Sequence, residues 1–170
     1  DTVEKELKKC RTSIREKEAF YASRANMVAT TVSKLVVDHV FENVKYDLVM
    51  FDEVSMAYVT QLICAAMYSR DKFVCVGDFN QLAPIAQSEA ANFLKRDIFS
   101  YFGIIDDKGN LHNHEWLVML DEQRRMLPEI SAFPNQRVYH NLLKNHASVE
   151  KKRDISKRIP LPGDVMSLVD

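Results

Sequence analysis

No apolar run among the 170 residues exceeds the seven at positions 62–68, against the roughly 20 that a helix needs to cross a bilayer. No signal-peptide pattern opens the chain, so membrane-spanning and secretory readings are set aside. Net charge is equally scant: 23 Lys and Arg face 24 Asp and Glu, leaving −1, and no electrostatic bias nominates nucleic acid or acidic lipid. Cysteines number three, Cys10, Cys64 and Cys75. An odd count, with Cys64 and Cys75 in apolar contexts that suit buried thiols, predicts a reducing compartment and a cytoplasmic location. Internal repeats and low-complexity tracts are absent.

What is present is an ordinary globular composition, 46% hydrophobic and 28% charged, at a length suited to about one domain. Residues 1–24 are dense in charge, with apolar positions Val3, Leu7, Cys10, Ile14 and Phe20 or Tyr21 spaced by three to four. That spacing predicts a helix with a thin apolar stripe that must lie against something. So lean a helix at an apparent domain start, without an initiator Met, suggests a cut inside a longer protein. Beyond residue 24, β-rich runs at 26–29, 47–51, 72–76, 116–120 and 165–169 alternate with helical patterns around 32–41, 55–68 and 88–102. This order, with nearly continuous apolar strands, predicts an α/β fold: a parallel sheet covered by helices on both faces. Residues 106–115, polar and aperiodic with Gly109, read as a loop. The polar run 141–158, ending at Pro160-Leu161-Pro162-Gly163, reads as a boundary before the last strand.

In an open parallel sheet, ligands bind at the C-terminal ends of the strands. The apolar run 48–51 ends in Asp52-Glu53, and the run 73–76 ends in Gly77-Asp78. Carboxylates gathered on one rim repel each other, and a bound cation relieves that repulsion, which makes a magnesium nucleotide site the economical reading. The first carboxylate of the pair can hold Mg²⁺ while the second orients or deprotonates the attacking water. The plainer alternative is that Asp52 or Ser55 caps the following helix.

Four segments in order then carry a resemblance. DLVMFDEVS (47–55) looks like a Walker B motif, VGDFNQLAP (76–84) like helicase motif III, and DEQRRMLPEISAFPNQRVY (121–139) like motif IV and its following helix. MVATTVSKL (27–35) resembles the strand and Thr-bearing turn before Walker B. Together they resemble the superfamily 1 helicases, in the group of the nonsense-mediated-decay RNA helicase. The resemblance implies a partial RecA-like fold in three parts. Residues 1–24 would be the remnant of an inserted helical subdomain. Residues 25–120 would be the later part of a first RecA-like domain, and 121–170 motif IV with the start of a second.

It also implies ATP and Mg²⁺ as cofactors, and single-stranded DNA or RNA as partner. Asp52 would bind Mg²⁺ through its water shell and Glu53 would polarise the hydrolytic water. Gln81 would sense the γ-phosphate, since an amide can donate to a phosphate oxygen and accept from water. Gly77 and Asp78 would shape the motif III loop. Arg125 would reach the γ-phosphate, where a planar guanidinium stabilises transferring charge. The neighbouring Arg124, in place of the family's usual aromatic residue, leaves open which guanidinium faces the phosphate. Thr30 and Thr31 would donate to the nucleic-acid backbone without reading sequence.

Other groups have plainer readings. Phe133, Val138 and Tyr139 read as core rather than base-stacking groups. His112, His114 and Glu115 read as a solvated loop rather than a metal cluster. Lys151, Lys152, Arg153, Lys157 and Arg158 read as a solvated basic face. A P-loop needs a glycine-rich turn ending in Gly-Lys-Ser/Thr, and none of Gly77, Gly103, Gly109 and Gly163 precedes a lysine. In the helicase reading that element lies upstream and the late motifs downstream, so the segment alone is expected not to hydrolyse ATP. A non-catalytic nucleic-acid-binding or scaffolding module with a helicase-like fold is the alternative. An unrelated magnesium enzyme using Asp52 and Asp78 leaves the motif IV match unexplained.

Overall fold

A computed structural model describes residues 2–87, 93–106 and 111–152. The chain divides into two compact units, residues 1–112 and 113–170.

The first unit opens with α1 (Thr2–Arg24), along which only Ala22 is buried. Its expected stripe is open to solvent at Val3, Leu7, Ile14 and Tyr21. Support comes at its C-terminal end, where Ala19 and Ala22 pack with Val28, Leu35, Val40, Phe41 and Tyr68. The Tyr46 hydroxyl donates to the Ala22 carbonyl at 3.2 Å. Residues 26–29, expected as a strand, are irregular; no described strand runs beside them to complete a ladder. They lead into α2 (Val32–Val37), which stops at Asp38. The Asp38 carboxylate accepts from Val40 N at 3.1 Å and starts a separate 3-10 turn, so the helix expected over 32–41 is split.

The site rests on a strand–helix–strand unit. β1 (Tyr46–Phe51) and β2 (Ser69–Cys75) run parallel, joined by a 3-10 turn (Val54–Met56) and α3 (Val59–Ala66). Helix α3 is shorter than the expected 55–68 because Ala57 is extended. The turn at its start is held by Gln61 Oε1 accepting from Tyr58 N at 3.0 Å. Register pairs Val49 with Phe73 and Phe51 with Cys75 on one face, and Leu48 with Lys72 and Met50 with Val74 on the other. The first face carries the core, in which Phe51, Val54, Ala57, Leu62, Ala65 and Phe99 are buried with Phe73 and Phe79 against them. Burial of each large side chain there is worth about 1.5–3 kcal/mol.

Coverage of both faces is not what the described residues show. Leu48 and Met50 remain 49% and 64% exposed, because α3 packs on one side of a sheet with only two described strands. The same openness corrects the cysteine expectation: Cys64 is partly buried and Cys75 exposed. Of the helix expected over 88–102, α4 (Ile98–Tyr101) forms where Asp97 caps Ser100 N at 2.8 Å; residues 88–92 lie outside the described residues. Within the expected loop 106–115, Leu111 pairs with Ile105 in an isolated antiparallel bridge.

The second unit repeats the strand–helix–strand pattern in miniature. β3 (Glu122–Gln123) and β4 (Lys144–Asn145) are parallel, with α5 (Pro128–Arg137) between them. Pro128 opens α5, where its fixed φ suits the first helical turn and its missing N–H costs nothing. Residues 116–120 are not a strand, for want of a described neighbour; they follow a turn in which Leu117 N donates to the His114 carbonyl. Phe133 is exposed, not core, while Val138 and Tyr139 are half-buried. A strand over 165–169, and Arg153, Lys157 and Arg158, lie outside the described residues. Lys151 and Lys152 end a 3-10 segment (Ala147–Lys152).

Asp121 and Lys144 tie β3 to β4. Lys144 N donates to the Asp121 carbonyl at 2.7 Å, and its ammonium pairs with the Asp121 carboxylate. The side-chain hydrogen bond and charge of Lys144 lower the Asp121 pKa, and those of Asp121 raise that of Lys144. A lowered carboxylate pKa stabilises above its unfolded value and fades as pH falls through the folded one. A raised ammonium pKa stabilises below its unfolded value and fades as pH rises through the folded one. Stability of the unit is therefore expected to hold between the two and to weaken below pH ~4 and above pH ~10.5. Because the pair is solvent-exposed, its share should shrink in about 1 M salt. Denaturation midpoints of wild type and Asp121→Asn across pH check this; equal pH dependence of the two would contradict it.

Candidate functional site

The ladder between β1 and β2 continues past both strands. Val76 N donates to the Phe51 carbonyl at 2.8 Å, and Val54 N donates to the Val76 carbonyl at 3.0 Å. Asp52-Glu53 and Gly77-Asp78 therefore emerge side by side, about one strand spacing of 4.8 Å apart. Glu53 sits in the left-handed region, φ 56° and ψ 41°, between β1 and the 3-10 turn. A non-glycine residue pays about 1–3 kcal/mol for that conformation, and such strain concentrates where a side chain must be aimed. Asp52 Oδ1 accepts from Glu53 N at 2.9 Å and steadies the turn.

Gly77 is dictated by closeness. A Cβ there would lie 2.8 Å from Val54 Cγ2 and 3.2 Å from Ser55 N. Val54 is fully buried, so it has nowhere to retreat. Gly77→Ala is expected to cost about 1–3 kcal/mol as overpacking, measured by urea denaturation. A change within about 0.5 kcal/mol, the range of a neutral surface substitution, would show that the two loops do not press together.

The loop after β2 closes on Asp78. Its carboxylate accepts from Asn80 N at 3.0 Å and from Gln81 Nε2 at 2.9 Å, and its carbonyl accepts from Gln81 N at 3.1 Å. Asp78 thus spends its oxygens on shaping the loop, while Gln81 Oε1 is left at an exposed position. Asp52 and Glu53 are exposed as well. Ser55, by contrast, is 1% exposed, with an Oγ that has no hydrogen-bond partner among the described residues.

These donors suit a hydrated magnesium nucleotide. Mg²⁺ keeps several waters and takes one or two carboxylates rather than an all-protein cage. Asp52 supplies a carboxylate at an exposed position, where a cation bound to it could keep its waters.

Thr30 and Thr31 lie elsewhere, in an open groove of about 750 Å³ walled by α1, with Tyr21, Met27 and Val28. Thr31 caps α2, its Oγ1 accepting from Lys34 N at 3.2 Å. A hydroxyl that accepts still has a proton to donate. His112 faces Asp106 at 3.5 Å, and His114 accepts from Trp116 N at 3.2 Å, so the two imidazoles have separate partners.

In the second unit, Arg125 follows the C-terminal end of β3. Alternation along the chain puts Arg124 on the side of Glu122, whose carboxylate takes its Nε and Nη2 at 3.1 and 2.8 Å. A residue the sequence reading passed over organises this turn. Gln123 Oε1 accepts from Arg125 N at 2.9 Å and Met126 N at 2.8 Å, and its Nε2 donates to the Met126 carbonyl at 2.8 Å and to Asn145 Oδ1. The only sequence signal was its place at the end of a short strand inside motif IV.

Two parallel strand–helix–strand units, each followed by polar side chains just past a strand end, define an α/β protein. The chain belongs to the AAA-domain family, which matches residues 1–89, with a second AAA-domain match over 104–170. It is 29% identical to Helicase sen1 of Schizosaccharomyces pombe over 130 residues, 76% of this chain and 7% of that protein. It is 34% identical to the DNA replication ATP-dependent helicase/nuclease DNA2 of Xenopus laevis over 128 residues, 74% of this chain and 11% of that protein. Helicase SEN1 of Saccharomyces cerevisiae is 29% identical over 132 residues, 77% of this chain and 6% of that protein. These likenesses agree with the superfamily 1 resemblance carried by the motifs. The chain spans between 6% and 11% of the length of these relatives. Among the described residues no helix is long and apolar enough to cross a membrane.

Proposed function

We propose that this chain is the part of an ATP-driven helicase or translocase that carries the hydrolytic rim and the motif IV arginine, acting on single-stranded DNA or RNA. The observation that supports this reading is the Val54 N to Val76 carbonyl bond at 3.0 Å, which runs the chain after β1, with Asp52 and Glu53, beside the chain after β2 that leads to Gln81. Residues 1–24 act as the remnant of an inserted helical subdomain, 25–120 as the later part of a first RecA-like domain, and 121–170 as the start of a second. A cytoplasmic location fits the three unpaired cysteines.

Asp52 would hold Mg²⁺ through its water shell, and the ion would supply positive charge against the phosphates. Glu53, aimed by its left-handed backbone, takes a proton from the attacking water. Gln81 bonds the γ-phosphate through an amide that Asp78 orients. Arg125 brings a permanent positive charge to the transferring phosphoryl group. Thr30 and Thr31 donate hydroxyls to the nucleic-acid backbone, which leaves sequence unread.

The test is ATP hydrolysis by the full-length protein with and without single-stranded DNA or RNA. Stimulation by either strand supports the reading; turnover indifferent to both supports the non-catalytic module instead.

A further inference from the structure

The polar network behind Arg125 is more elaborate than a two-residue strand requires. Gln123 uses both lone pairs of Oε1 and both protons of Nε2, so its amide orientation is fixed by four partners. Asn145 Oδ1, which receives one of those protons, also lies 2.9 Å from Ser131 Oγ. Ser131 is 2% exposed and sits in the first turn of α5, where its Oγ also lies 3.1 Å from the Pro128 carbonyl. Gln123 thus connects β3, the Arg125 turn and β4, and through Asn145 it reaches Ser131 of α5.

We propose that Gln123 is the positioning residue for Arg125: it fixes the backbone from which the guanidinium extends, and the Asn145–Ser131 pair fixes Gln123. This rests on the phosphate role given to Arg125 above. The chemistry is that of pre-organisation. A long arginine side chain loses conformational freedom when it meets a phosphoryl group, and a rigid root removes part of that cost before substrate arrives. Asn145 and Ser131 do for Gln123 what Gln123 does for the turn. The amides of Arg125 and Met126 need acceptors, but water could supply them at these exposed or half-buried positions. What water cannot supply is a fixed direction.

The variant is Gln123→Met in the full-length protein, which keeps length and bulk and deletes all four hydrogen bonds; Gln123→Ala is the companion should methionine disturb folding. ATP turnover is expected to fall about a hundredfold, the effect of a misplacement of about 1 Å, with KM for ATP moving less than about threefold because the loss falls on the transition state. A structural role alone would lower the denaturation midpoint without that split.

The decisive comparison is with Arg125→Ala. If Gln123 acts through Arg125, adding Gln123→Met to Arg125→Ala lowers kcat no further, although the denaturation midpoints still add. An equal fall in kcat in both backgrounds overturns the proposal, as does a Gln123→Met enzyme of wild-type kcat. Should Arg125→Ala itself leave kcat unchanged, the phosphate role of Arg125 fails, and the proposal falls with it by a distinguishable route.

Discussion

Glu53→Gln in the full-length protein is expected to lower ATP turnover about a thousandfold while leaving nucleotide affinity within a fewfold of wild type. The exchange keeps size and hydrogen-bonding reach and removes only basicity, and a positioned general base contributes about 10²–10⁴ in rate. Nothing in the packing should suffer. Glu53 is exposed, its left-handed backbone is held by the Asp52 carboxylate and by neighbouring turns, and none of those bonds involves its side chain. Steady-state phosphate release, with fluorescent-nucleotide binding alongside, separates the two quantities. Retained turnover would remove Glu53 from its role; lost binding would mean that the substitution had disturbed the Asp52 turn instead.

Arg125→Ala carries the second large effect. A guanidinium that meets charge developing on a transferring phosphoryl group is worth about 10³–10⁵ in rate, so kcat should fall by at least about a thousandfold. Arg125→Lys should recover little, because an ammonium lacks the planar fork that matches phosphate oxygens. Arg124→Ala is the control. Its side chain is paired with Glu122 across an exposed surface, and such pairs contribute about 0–1 kcal/mol to stability; with no part in the proposed transfer, its loss should leave kcat near wild type. A larger loss from Arg124→Ala than from Arg125→Ala would reverse the assignment.

Much of this was legible in the sequence because strands that end in carboxylates leave a local trace. The runs 47–51 and 72–76 became β1 and β2 within a few residues, since apolar β-rich stretches bounded by polar ones carry their own signal. The parallel α/β class followed from their alternation with helical patterns. What failed depended on partners out of sight. Residues 26–29 and 116–120 have strand-like composition but no described neighbour, and a strand without a ladder is only an extended chain. The 32–41 helix was split by one residue, Asp38, whose carboxylate prefers to cap the next turn.

At the site the same division holds. The side-by-side exit of the chain at Asp52-Glu53 and at Gly77-Asp78 could be inferred, since strand ends in one parallel sheet share a rim. The reason for Gly77 could not, because it lies in a contact with Val54 that only the register creates. Gln123 escaped notice for a similar reason. Its four bonds reach a turn, a second strand and, through Asn145, a helix residue, none of which its sequence neighbours announce.

The most direct test of the rim is an experimental structure of the full-length protein with Mg²⁺ and a non-hydrolysable ATP analogue. The account predicts the metal one water away from the Asp52 carboxylate, with the γ-phosphate in hydrogen-bond reach of Gln81. A triphosphate bound away from the ends of β1 and β2, with Asp52 and Gln81 facing bulk solvent, would contradict it.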